Sequence, residues 1–200
     1  MVSSSTVLRS AEPTLDEGVV YARYLDELSP GFRMTLGRRR VELLAAAFVL
    51  PGHDLSYEHV AFAARNGTIV GVVSGYTAEQ HRGSSAEPIK QAVGGHVLRR
   101  MGAAFLVAFL RRFGPDADDD FYVWALAVDR DLRRQGVGSA LMDFAEAHAR
   151  ASGSARLTLD VEAKNEGARS FYASRGMTVE SQWPRLPFVP AAIVRMAKRL

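Results

Sequence analysis

The chain has 200 residues, 48% of them apolar and 24% charged, with a formal net charge of +3 and no cysteine. That size supports one domain with a proper core, and the lack of thiols excludes disulfides, thiolate catalysis and cysteine-bound metals. Arginines are scattered among acids, including the run Asp116 to Asp120, so no continuous basic face marks nucleic acid as a partner. Met1 to Thr6 lacks the charged-then-apolar layout of a signal peptide. The longest apolar run, Ala103 to Leu110, falls far short of the roughly 20 residues that span a bilayer. A cytoplasmic protein without stable membrane insertion is the expectation.

Ser5 to Arg9 reads as an edge strand. Thr14 is placed to cap an amphipathic helix running to about Leu28, with Val19, Tyr21, Ala22, Leu25 and Leu28 on its buried side. Pro30-Gly31 breaks it, and a second helix is expected over Leu36 to Leu50, ended by Pro51-Gly52. His59 to Arg65 and Thr68 to Thr77 flank Asn66-Gly67, a strong hairpin signal. Glu79 to Gly95 is polar and reads as a mobile loop. His96 to Phe113 reads as a helix with Leu98, Met101, Phe105, Leu106, Phe109 and Phe113 on a broad apolar face. Three roles stay open for it: packing on its own domain, forming an acceptor-site wall or dimer contact, or lying on a membrane surface. Phe121 to Val128 is an apolar run that reads as a buried strand, and Arg156 to Val161 alternates as a half-buried one.

Between those two strands lies Asp129 to Leu141, a glycine-bearing turn opening into a helix. Val137, Leu141, Phe144, Ala145 and His148 fall on one helical face. A strand that feeds such a turn makes an anion site: free N–H groups point outward, and the helix dipole favours negative charge. Arg133 and Arg134 add charge suited to phosphate. The pattern is neither a P-loop, since no Lys-Ser/Thr pair follows, nor a dinucleotide fingerprint, since Leu141 stands at the third glycine position. It is Arg133-x-x-Gly136-x-Gly138.

A second pattern follows: Asn165-x-x-Ala168-x-x-Phe171-Tyr172-x-x-x-Gly176-Met177. Asn165 suits a helix N-cap and Gly176 a left-handed residue after the helix. Together the two patterns resemble the GNAT family, the Gcn5-related N-acetyltransferases, strongly over residues 121 to 182. Met177 stands where the family normally has Phe, which changes only apolar packing.

The resemblance implies a single α/β domain of the α+β type over residues 1–200. It would carry a twisted, mixed, mostly antiparallel sheet flanked by helices; residues 78–120 depart from the family plan as a helical insertion between the third and fourth strands. It implies acetyl-CoA as co-substrate, no metal, and transfer of acetyl to a primary amine by direct attack. The amine would be a small molecule, a peptide N-terminus or a lysine. Pantetheine would bond backbone groups of Leu126, Ala127 and Val128, and pyrophosphate the amides of Arg134, Gln135, Gly136, Val137, Gly138 and Ser139. A strand amide, Leu126 or Val128, would steady the oxyanion. Asn165 would contact the cofactor, and Tyr172 would donate a proton to the departing thiolate. Asp160 matches the position of a family base, with Glu162 or bridging water as alternatives. The histidines at 53, 59, 81, 96 and 148 show no metal spacing and read as structural or exposed. A homodimer is one expectation, dimers being common in the family. A non-catalytic acyl-CoA-binding or regulatory module is the alternative function.

Overall fold

A computed structural model describes residues 6–28, 36–93, 104, 107, 113–184 and 190–200. In chain order the main elements are β1 (Val7–Ser10), α1 (Leu15–Leu28), α2 (Arg40–Phe48), β2 (Val60–Arg65), β3 (Thr68–Thr77), α3 (Ala78–Gly83) and α4 (Glu87–Val93). They continue with β4 (Asp120–Val128), α5 (Val137–Ala151), β5 (Arg156–Glu162), α6 (Glu166–Ser174), β6 (Thr178–Trp183) and β7 (Ile193–Arg199). The strands form one seven-stranded sheet in the order β1-β2-β3-β4-β5-β7-β6. All neighbours pair antiparallel except β4 and β5.

That parallel pair decides the shape of the site. Its ladder runs from Asp120↔Arg156 only to Val123↔Leu159, while β4 continues to Val128 and β5 to Glu162. Beyond Val123 the strands part, and β4 keeps only β3 beside it, through Gly71↔Val128. The register between β3 and β4 skips from Ser74↔Ala125 to Gly75↔Val123, so Trp124 is a bulged residue where the parting begins.

Each sheet face buries its own core. On one face Tyr21, Leu25, Leu44 and Phe48 of α1 and α2 meet Phe62, Val72 and Ala125. On the other, Val137, Leu141, Met142 and Ala145 of α5 and Tyr172 of α6 meet Val73, Val123, Leu159 and Met196. Thr14 accepts the Glu17 N–H at 3.3 Å, the cap expected for α1.

Several expectations change. Glu79 to Gly95 is not a loop where it is described: Thr77 and Gln80 make a reciprocal capping box that starts α3, and α4 follows at Glu87. The second helix is shorter than Leu36 to Leu50, with a 3-10 turn at Gly37–Arg39 before α2. His148 does not share the buried face of α5. It is exposed, with its ring centre 5.7 Å from that of Phe121 in an edge-on arrangement, while Met142, Glu146 and Ala149 are buried. The helix expected over His96 to Phe113 lies almost wholly outside the described residues, Ala104 and Val107 being helical.

Candidate active site

The turn after β4 is shaped by its backbone. Arg134 and Gly136 both adopt positive φ, 60° and 84°, on either side of Gln135. At Gly136 a side chain would meet no atom within 4 Å, so the demand for glycine there is conformational rather than steric. The first helical hydrogen bond of α5 runs from Ala140 N–H to Gly136 C=O at 3.0 Å. Among the described residues, the N–H groups of Arg134, Gln135, Gly136, Val137, Gly138 and Ser139 have no acceptor. Successive free amides at a helix start, with alternating hand, form a concave anion nest.

Long side chains hold this turn. Arg65 of β2 reaches across to donate to Gln135 Oε1 at 2.9 Å and to its carbonyl at 3.2 Å. Arg133 Nε donates to the Val128 carbonyl at 3.2 Å, and Gln135 Nε2 to the Asp131 carbonyl at 3.0 Å. Tyr24 of α1 donates to Asp129 Oδ1 at 2.7 Å. Sequence reasoning missed Arg65 and Tyr24. Neither belongs to a motif, because each acts from a distant element.

α6 borders the same opening. Asn165 caps it, its Oδ1 accepting the Ala168 N–H at 3.1 Å, and Gly176 takes φ 81° after its end. Phe171 of α6 would lie 3.7 Å from a Cβ on Gly138, so α6 and the start of α5 flank one groove. Tyr172 is buried, and burial pushes its phenol up to about 12. It therefore stays protonated across the physiological range, with an O–H to donate.

On the α1 face, where the strands begin to part, Asp160 sits in a dense polar cluster. Arg195 Nε and Nη2 donate to its two oxygens at 2.9 and 2.6 Å, and the Tyr122 hydroxyl donates to Oδ2 at 3.0 Å. Arg195 also pairs with Asp116, and its guanidinium lies 5.5 Å from the centre of the Tyr122 ring. Burial opposes the charge on Arg195, but Asp160 and Asp116 outweigh it and raise its pKa. Tyr122 is pushed well above its ordinary value, first by burial and then by the Asp160 charge. Glu162, one pleat further along the same face, is more open, with Lys164 at 3.5 Å. Arg195 escaped the sequence reading, although an arginine within the apolar run Ile193 to Ala197 was a visible sign of a buried ionic partner.

A mixed sheet that opens between its two parallel strands, beside a helix start with free amides, is a frame shared with acyltransferases. The model of the acetyltransferase (GNAT) family matches residues 22–177, and the chain belongs to that family. Among solved structures of similar fold, an acetyltransferase aligns 96% of this chain with 98% of its own at 24% identity and TM-score 0.67. The ribosomal-protein-S18-alanine N-acetyltransferase from Escherichia coli aligns 98% with 94% at 17% identity and TM-score 0.52. The NatC complex bound to Gag peptide and CoA aligns 98% with 99% at 14% identity and TM-score 0.56. At such identities the likeness speaks for the fold alone. No curated protein sequence matches the chain. The family takes its acetyl group from acetyl-CoA. Among the described residues, no three His, Cys, Asp or Glu side chains gather as a metal site, and no helix is long and apolar enough to cross a membrane.

Proposed function

We propose that the chain moves acetyl from acetyl-CoA to a primary amine by direct attack, with the donor in the opening between β4 and β5 and the amine arriving from the α1 face. The observation that carries this reading is the nest of unsatisfied amides from Arg134 to Ser139 at the mouth of the parted strands. The groove fits the donor. The free edge of β4 at Leu126, Ala127 and Val128 offers strand-like hydrogen bonds to an extended amide chain, and the nest offers donors to a pyrophosphate. Asn165 Oδ1 is engaged by the cap, which leaves its amide group to donate to the ligand.

Bound acetyl-CoA supplies the thioester carbonyl. An amide of Leu126 or Val128 steadies negative charge on its oxygen. Tyr172, its proton held more firmly than in water, gives a hydrogen bond to the departing sulfur. Asp160 draws the protonated amine and takes its proton through water, because its oxygens already accept from Arg195 and Tyr122. Glu162 is the second acceptor along the same route.

Tyr172→Phe tests the assignment. No hydrogen bond is lost from the described protein, so stability should hold while kcat falls about 100-fold and the Kd for acetyl-CoA stays within a few-fold. Unchanged turnover would remove Tyr172 from the mechanism. Acetyl-CoA binding without turnover on any amine would instead support a binding module.

A further inference from the structure

Outside the donor groove, the α1 face holds a cavity of about 330 Å³ whose wall includes Asp54, His81, Ser84, Ser85 and Ile89. That is the lower end of the size range for small-ligand sites. Asp54 belongs to the connection between α2 and β2, and its side chain is only 6% exposed. One of its oxygens, Oδ2, lies 3.1 Å from His81 Nδ1. The other, Oδ1, is buried with no hydrogen-bond partner. A buried carboxylate oxygen left bare is costly, and a ligand able to donate to it removes that cost.

The surroundings select the sign of that ligand. His53, next in sequence, is held neutral: its Nδ1 accepts the Leu55 N–H at 3.3 Å while Nε2–H donates to the Ala47 carbonyl at 2.9 Å, and burial lowers its pKa. Arg82, also on the cavity wall, is paired with Asp118. The Ser84 and Ser85 hydroxyls each accept one backbone N–H, from Asp54 and Glu87, and each keeps a further lone pair. Buried Ile89 supplies apolar contact. One bare carboxylate oxygen, two hydroxyls and an apolar wall suit an ammonium on a methylene chain.

A relay of ring contacts leads from the wall of this cavity toward the proposed acetyl-transfer site. His81 stacks on Tyr76, with ring centres 5.3 Å apart and planes at 7°. Tyr76 lies 5.8 Å from Tyr122, which donates to Asp160. The Tyr76 hydroxyl, the Thr158 hydroxyl and the Trp124 indole N–H are also buried without partners, so unsatisfied polar groups continue along the face toward the parted strands. We infer that Asp54 binds a second, protonated amino group of the acceptor, which makes the substrate a diamine or polyamine whose other amine receives the acetyl group. The inference rests on the acetyl-transfer reading for its chemistry and on the cavity for its specificity.

The test compares putrescine and spermidine with butylamine as acceptors, for the natural chain and Asp54→Asn. In the natural chain kcat/KM should favour the polyamines about ten- to a hundredfold, and Asp54→Asn should collapse that ratio toward one. Equal use of butylamine and putrescine by the natural chain, or a ratio untouched by the variant, would overturn the inference. Calorimetric binding of spermidine to the natural chain separates it from the reading on which it rests. Binding that weakens in Asp54→Asn without acetylation would keep the subsite and sink acetyl transfer. Acetylation of butylamine without spermidine binding would do the reverse. The natural chain alone decides both points if the variant fails to fold.

Discussion

The two halves of the site are built from different materials. On the proposed donor side, the turn from Arg134 to Ser139 and the free edge of β4 present main-chain groups, and the side chains around them serve mainly as braces. On the proposed acceptor side, Tyr76, Tyr122, Asp160, Arg195, His81 and Asp54 present side chains from four strands, one helix and one connection. A backbone site can be fixed by a short local pattern, because a few φ values and missing Cβ atoms define it. A side-chain site depends on which residues the sheet happens to bring together.

The largest effect on this contrast is expected from Arg195→Met. It removes the bidentate partner of Asp160 where both side chains are about one-tenth exposed, at 8% and 11%. A buried carboxylate that loses its cation and keeps only the Tyr122 hydroxyl costs about 3–5 kcal/mol, read from urea unfolding, and adding Asp160→Leu should restore most of it. A loss below about 1 kcal/mol would mean that the acceptor face is wetter and looser than its geometry implies.

Gly138→Ala sharpens the donor side, because protein and ligand should respond with opposite signs. A Cβ there meets Phe171 at 3.7 Å, an ordinary contact, and alanine favours the helix by up to about 1 kcal/mol. The thermal midpoint should hold or rise while the Kd for acetyl-CoA rises about tenfold, or ~1.4 kcal/mol. A variant that binds as well as the parent would move the pyrophosphate away from this turn.

The smallest effect concerns the bracing of α5. Burial pushes Glu146 up, but hydrogen bonds from Lys198 and Arg175 outweigh it and leave the carboxyl below its usual 4.5. A carboxylate depressed by folding adds stability above 4.5 that fades as pH falls through the lower folded value. Acid unfolding curves should therefore flatten in Glu146→Gln, by less than about 1 kcal/mol. An unchanged slope would assign the acid sensitivity to other carboxylates.

The same division explains what could be read in advance. Hydrophobic alternation and Asn66-Gly67 located the hairpin, and the glycine spacing at Gly136 and Gly138 located the turn, because each is a local property. Phe121 to Val128 and Arg156 to Val161 had enough apolar residues to be read as strands, whereas their neighbours in the sheet are a long-range property. Arg195 and Asp54 stayed hidden: one is 35 residues from its partner Asp160 and the other 27 from His81. No periodicity links positions so far apart. The stretch from Glu79 misled for a different reason: its polar composition resembles a loop, yet a capping box at Thr77 and Gln80 is enough to start a short helix.

The reach of Arg65 to Gln135 has a consequence for the heat of binding. It ties the turn to a hairpin strand, so the awkward dihedrals of Arg134 and Gly136 are already set before any ligand arrives. Little ordering is left for the association step itself, and a nest preorganised in this way should bind its anion with a large favourable enthalpy and only a small loss of main-chain freedom. Cutting that tether would shift the ordering of the turn into the binding step, and the signature would be a less favourable entropy rather than a weaker contact.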